Sequence, residues 1–525
     1  MNFRGKRFFQ QGNIVATGTS VIIITVAVKI FDAVKHLFSV SRFGITAQAD
    51  IYNIIITIPE FVVVAIGLDT IRAAATTYFT EYVAKNDKDS SDVLFSSLFT
   101  WGLVASLLLG IVTCCFMKQL VGTIASGFTG DKMEETISLA YIIIPVLVLR
   151  GITGIFISLL YAHNRFKLSA SLSAITTICV IVALVISNTE YLARNIAIAY
   201  TIGFCLYAAC LVISTKKYVH WHLSFSIHFL PFREVIKMSV NLIVCMVITQ
   251  IAIIVEKKTA SYFPDGTLAA LGVANTMAGQ FVFLVFALFG VMQRRFITKI
   301  SQNDVSAAIG DLWKILSYLL FGVVFIALIL NVLGEPILRV IYKRGSFDEI
   351  AVNKTLGPLM FYSLWIIGQT ISLTITPFLL AAKHSKVFII ASIIAYGFDI
   401  AFVGEFATRY GYVGIAFTSF LTITMYSIIL LICMRLIYGR KALNGAVNIL
   451  KILCIGLLIY AILLFLVDKF PVIPLPQLEY DLLKIVVVSI IGLLLYLLLS
   501  SMLNVNYLRS FWLGYINKKS NGVSN

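Results

Sequence analysis

The chain has 525 residues, 59% of them hydrophobic and only 13% charged, with a mean hydropathy of +0.95. A soluble domain carries roughly 25% charged residues, so this composition excludes a soluble enzyme, a secreted disulfide scaffold and a nucleic-acid binder. The net charge of +16, from 41 Lys+Arg against 25 Asp+Glu, needs no nucleic acid to explain it, because membrane proteins gather such an excess in their cytoplasmic loops.

A helix needs about 20 apolar residues to cross a bilayer. On that criterion the sequence predicts fourteen spans, at 16–39, 47–68, 92–117, 135–162, 168–189, 191–214, 234–256, 267–292, 312–333, 355–382, 387–408, 411–435, 446–468 and 482–503. The first follows a basic start (Arg4, Lys6, Arg7), lacks a small-residue cleavage site and contains Lys29 and Lys35, so it reads as a retained span and not a signal peptide. The runs are continuous and not alternating, which excludes a membrane barrel. The expected fold is an all-α integral membrane protein of about fourteen transmembrane helices.

The basic, aromatic stretch 215–233 (TKKYVHWHLSFSIHFLPFR) separates six spans from the next six and suits a helix lying in the membrane interface. The expected organisation is therefore an N-terminal lobe at 1–218, an interfacial linker at 219–233, a C-terminal lobe at 234–441, and spans thirteen and fourteen with a tail at 442–525. Two-fold pseudosymmetry of the lobes follows from the span count alone, since no residue-level repeat is visible. With the N-terminus placed in the cytoplasm, inside segments carry ~25 of the basic residues and outside segments ~13. Both termini are accordingly expected inside.

Ionisable residues within spans are costly and mark protein-lined cavities. Lys29, Asp32, Lys35 and His36 share a stripe about 120° wide on the first span. Either Asp32 neutralises two lysines one turn away on each side, or the stripe is a cationic wall for an anionic headgroup. Arg150 sits centrally in the fourth span, with Glu60 or Asp50 as available partners. As an additional cavity cation its planar fork would suit a diphosphate. Glu256 and Asp399, with Thr418, are candidates for a sodium site or proton relay. The alternative pairs one carboxylate with Lys257 or Lys258. The eight cysteines lie in apolar runs without CxxC spacing, which argues against a metal or redox centre. HExxH, Walker A and GxSxG signatures are absent, so no enzyme activity is expected.

Several motifs recur in a set order. Lys29 and Lys35 are followed by Phe43-Gly44, Asp50, Ile58-Pro59 and Glu81-Tyr82; further on stand Asn164-Arg165-Phe166, YKRGSF at 342–347 and GYVGIAFT at 411–418. This series resembles the MurJ/MviN family of the multidrug/oligosaccharidyl-lipid/polysaccharide exporter superfamily. The resemblance implies a flippase that moves undecaprenyl-diphosphate-linked peptidoglycan precursor, lipid II, across the bacterial inner membrane by alternating access. Cavity arginines would hold the diphosphate, and a groove on the last two helices would take the lipid tail. Lys29 and Lys35 match two arginine positions, Asp50 matches the family aspartate, and Glu256 and Asp399 are similar to positions of a sodium site in some members. Two further arginine positions fall at Val63 and Thr276, so the resemblance is to a divergent member.

The implied partners are the lipid-linked oligosaccharide and membrane lipids, with no nucleic acid. The protein is expected to act as a monomer without a cofactor, coupled to Na⁺, H⁺ or the membrane potential. Another polyprenyl-diphosphate-linked glycan, such as an O-antigen or capsule unit, would use the same diphosphate anchor. A cation-coupled drug exporter of the same superfamily would need an acidic cavity, against which Lys29, Lys35 and Arg150 argue. A non-transporting scaffold would have to keep costly buried charges without a use for them.

Overall fold

The computed structural model describes residues 28–502, apart from 66, 189–190, 221, 226–229, 303 and 385. The basic N-terminus, the start of the first span, part of the linker and the tail beyond 502 lie outside the described residues. Every regular element among those described is helical. Eleven helices are long and apolar enough to cross a membrane. Large apolar side chains such as Ile186, Leu436, Leu457 and Phe465 stand exposed along them, as lipid-facing surfaces require.

The chain forms two compact units, 1–266 and 267–525. In the first, α1 is helical over the described residues 28–43. It is followed by α2 (Ala47–Ala65), α3 (Leu68–Lys85), α4 (Lys88–Cys115), α5 (Met117–Ile124), α6 (Gly130–Ala162), α7 (Phe166–Ile186), α8 (Leu192–Thr215) and α9 (Leu230–Ser261). Helix α6 is the hub, packed by α2, α3, α4 and α8. The aromatic cluster Phe79, Phe95, Phe99 and Phe156 locks α3, α4 and α6 together. Helix α3 was not among the expected spans because only one face is apolar. Ala74, Ala75 and Phe79 are buried, while Glu81 and Lys85 pair on the exposed side. Asp87 caps α4 by accepting from the Ser90 backbone N–H at 3.1 Å. Hydrogen bonds from Ser90 hold its carboxyl below its usual pKa.

The second unit repeats this order of lengths. Helices α4, α5 and α6 have 28, 8 and 33 residues. In the second unit α11 (Val305–Val332), α12 (Gly334–Tyr342) and α13 (Glu349–Ala381) have 28, 9 and 33. The corners that follow also match: Asn164 after α6 and Lys383 after α13 are both left-handed. The same order of helix lengths thus recurs in both units where residue identity is silent. Helix α13 is the second hub, packed by α11, by α10 (Thr267–Ser301) and by α15 (Val413–Tyr438). Helix α14 (Lys386–Tyr410) lies against α15.

The two appended spans, α16 (Ala446–Asp468) and α17 (Gln477–Met502), pack on α11. Trp313 of α11 is buried and donates its indole N–H to the Ala442 carbonyl at 2.7 Å, just before α16. Tyr496 of α17 stacks on Phe321 and donates to its carbonyl. The two extra helices are thereby built into the second unit, α16 through α11 and α17 through α11, α12 and α16.

Two expectations differ from what is observed. The unit boundary falls after span seven, at Gly266, and not in the 219–233 linker. The reason is that α9 packs on α2, α3, α4 and α5. Residues 219–220 and 222–225 of the linker are also not helical, while 230–233 open α9. The non-helical stretch runs as a strap along α4, its backbone N–H groups donating to Ser96 and Thr100 hydroxyls one turn apart. Trp101 and Phe225 meet edge to face, and Tyr218 accepts from Arg165 of the Asn164-Arg165-Phe166 corner at 2.9 Å. Serine and threonine at i and i+4 of a helix offer hydroxyl acceptors to an extended chain, which outbids a helix of its own.

Candidate functional site

On α1 the local arrangement is self-neutralising. Asp32 lies 3.5 Å from Lys29 and 3.6 Å from Lys35, and it accepts from the Thr177 hydroxyl of α7 at 2.8 Å. The side chains of Lys29 and Lys35 remain 42% and 32% exposed. Two lysines on one carboxylate leave the stripe with a net positive charge, presented on a partly open surface.

A second polar stripe runs down α2. Asp50, Asn53, Thr57 and Glu60 recur every three or four residues and so share a face. Each turn of that stripe meets a cation from another helix of the same unit. At its start, Asp50 is 1% exposed. It pairs with Lys132 of α6 at 3.1 Å and accepts the Gly266 backbone N–H at 2.7 Å. Lys132 also reaches Asp265 at 2.7 Å and lies over the Phe128 ring. In the middle, Lys257 of α9 donates to the Asn53 carbonyl at 3.1 Å and to the Thr57 hydroxyl. At the far end, Arg150 of α6 faces Glu60 at 3.5 Å. The expected Arg150–Glu60 pair is therefore present, and Asp50 is occupied elsewhere.

Sequence reading missed Lys132 and Lys257 as members of this row. The signal available was the three-to-four-residue polar period on α2, which demanded partners without naming them. Lys257 pairs with neither Glu256 nor any other carboxylate among the described residues; it reaches across to α2. Glu256, half-buried on α9, belongs to the first unit, while Asp399 and Thr418 belong to the second. Asp399 is buried on α14 and Thr418 on the adjacent α15, where the threonine donates to the Gly414 carbonyl of its own helix at 2.7 Å. Val63 is buried on α2 and Thr276 half-buried on α10, so neither position offers a cation.

The second unit also holds an apolar cavity of about 340 Å³ between α10, α11, α12 and α17. Met277, Phe281, Phe325, Ile329 and Ile341 line it, with Ser489 from α17. Beside it Arg339 of α12 gathers Glu335, Glu349 and the buried Asp481 of α17, which fixes the entry of the last helix.

Comparison with known proteins agrees with this architecture. Residues 39–514 match the family model described as lipid II flippase MurJ. A probable lipid II flippase MurJ of Rickettsia prowazekii (strain Madrid E) is 22% identical over 387 residues, covering 70% of this chain and 74% of that protein. One of Rhizobium tropici is 23% identical over 343 residues, covering 63% and 64%. Among solved structures, a lipid II flippase MurJ in an inward closed conformation superposes with a TM-score of 0.76 at 22% identity, covering 93% of this chain and 99% of that one. An inward-facing multidrug transporter of the MATE family, in the MOP superfamily, gives 0.67 at 11% identity, covering 81% and 99%. With nearly its whole length matched by the family model, the chain is a multi-span, all-helical membrane protein that belongs to the lipid II flippase MurJ family.

Proposed function

We propose that this chain translocates lipid II across the bacterial inner membrane by alternating access, as a monomer with both termini in the cytoplasm. Family membership over nearly the whole length carries the reading. That Lys29, Lys35 and Arg150 all stand on helices of one unit supports it, because a diphosphate is the part of the substrate that needs fixed cations. Asp50 serves this site indirectly, by anchoring the start of α2 through Lys132. The apolar cavity beside α17 suits a segment of polyprenyl tail. The membrane potential adds a driving force of ~2.3 kcal/mol per charge per 100 mV.

The test is complementation. In a host depleted of its own lipid II flippase, this chain should restore growth. Lys29→Ala and Arg150→Ala should each reduce the rescue while membrane abundance is unchanged. Full rescue by the double variant would sink the cation assignment. The absence of cations at Val63 and Thr276 favours one second reading, a flippase for another polyprenyl-diphosphate-linked glycan. No rescue, together with restored surface polysaccharide in a strain lacking that exporter, would establish it.

Coupling to Na⁺ or H⁺ falls to Asp399, with Thr418 as an oxygen ligand on the adjacent helix, and Glu256 of the first unit is a separate candidate. Asp399→Asn should abolish any sodium dependence of transport in proteoliposomes. Unchanged dependence would remove Asp399 from that role.

A further inference from the structure

Glu60, Arg150 and Lys257 come together from α2, α6 and α9 of the first unit, and their bonding is uneven. The Arg150–Glu60 separation of 3.5 Å is long beside the roughly 2.7–2.9 Å of a tight charge-assisted bond. The Lys257 ammonium donates only to neutral oxygens, the Asn53 carbonyl and the Thr57 hydroxyl, although both Glu60 and Glu256 act on it electrostatically. The Glu60 side chain is 51% exposed and that of Arg150 only 26%. Ionisable side chains within spans face the bundle interior or a polar cleft as a rule, and a carboxylate this open is reachable by a polar substrate. Arg150 thus holds one loosely seated, half-exposed anion, and the Lys257 ammonium lies one turn away along α2 at Thr57.

We infer that Glu60 is a built-in stand-in for the diphosphate, resting against Arg150 with Lys257 one turn along the same face of α2, and giving way when substrate arrives. This rests on the diphosphate reading above and adds two residues to it, Glu60 and Lys257. A pair of bare cations in surroundings of low dielectric would hold a diphosphate too firmly to release it. Transport needs binding strong enough for entry and weak enough for exit. A single carboxylate meets both demands. The diphosphate brings more charge and oxygen pairs that match the arginine fork, so it displaces Glu60. On release Glu60 returns, so neither cation is left uncompensated in the membrane. Lys257 contributes the second positive charge from α9 in a chain whose α2 and α10 lack cations at Val63 and Thr276.

The experiment is a titration of the purified full chain in detergent with geranylgeranyl diphosphate, paired with the growth-rescue assay. Removing the competing half-exposed ion pair should tighten Glu60→Gln by up to about fivefold. Its rescue should be slower than wild type because release is impaired. Glu60→Asp, which keeps the charge, should bind like wild type. Arg150→Gln and Lys257→Gln should each weaken binding by about tenfold or more. If Glu60→Gln binds no tighter while Arg150→Gln binds more weakly, the stand-in role falls and the diphosphate reading survives. If Arg150→Gln and Lys257→Gln both bind like wild type, the diphosphate reading falls with it. Glu60 is half-exposed, so its substitutions leave the packing intact and decide the question even if Lys257→Gln does not fold.

Discussion

Lys132→Met is expected to destabilise the first unit by about 3–5 kcal/mol, the range for removing one partner of a buried ion pair. Asp50 is almost completely enclosed, and Lys132 is its ion-pair partner, with the Gly266 N–H as a further donor. Without the ammonium, the carboxylate stays in the interior with its charge uncompensated. Asp50→Asn should cost much less. The amide oxygen still accepts from Gly266, and Lys132 keeps Asp265, which is largely exposed. The double variant should recover part of the Lys132→Met loss, since no charge is then stranded. Thermal unfolding in detergent should therefore order the proteins as wild type, Asp50→Asn, double variant, Lys132→Met. A Lys132→Met midpoint equal to wild type would show that the pair does not anchor α2.

Arg339→Met is expected to cost about 2–4 kcal/mol, the penalty for removing the cation that faces the buried Asp481 carboxylate. Arg339 donates to Glu349 at 2.7 Å, pairs with Glu335, and lies 3.9 Å from Asp481, which is 2% exposed. Lys343 would still neutralise Glu349 at 2.7 Å, and the Gln477 amide would still donate to Asp481 at 3.2 Å. Neither replaces a cation facing Asp481. The start of α17 should loosen from α12, seen as faster hydrogen exchange over residues 477–485. Arg339→Lys should recover only part of the loss, because one ammonium nitrogen does not span the separate positions at which three guanidinium nitrogens meet Glu349, Glu335 and Asp481. Since α12 and α17 both line the apolar cavity, transport should fall alongside stability. Unaltered exchange in Arg339→Met would mean that α17 is held by Tyr496 and its aromatic partners alone.

Both predictions concern cations whose partners could not be read from the sequence. Asp50 was legible as a residue with a role, through its place in a recurring motif order. Its partner Lys132 lies 82 residues away, in a loop-like stretch just before an apolar run. The Lys29–Asp32–Lys35 arrangement was legible in full, because three-residue spacing on one helix sets those distances without any neighbour. Arg150 and Glu60 were candidates for each other only because an arginine within a span needs an anion. Helices α5 and α12, at 8 and 9 residues, and the one-sided α3 went unseen because a search for spans responds to long apolar runs alone.

The sequence by itself determined the class of molecule, the placement of its long apolar helices and its family. Each follows from a one-dimensional property. In lipid every backbone group must be satisfied within its own segment, so a run of about 20 apolar residues has no alternative to a helix. Motif order along the chain carries the family without any fold. Tertiary structure alone decided that α9 joins the first unit, that the linker straps α4 in place of forming a helix, and that α2 meets Lys132, Lys257 and Arg150 in turn. The physical reason is common to all three. Which side chains meet between helices depends on how each helix is rotated and crossed against its neighbours, and that is set by packing across the whole unit.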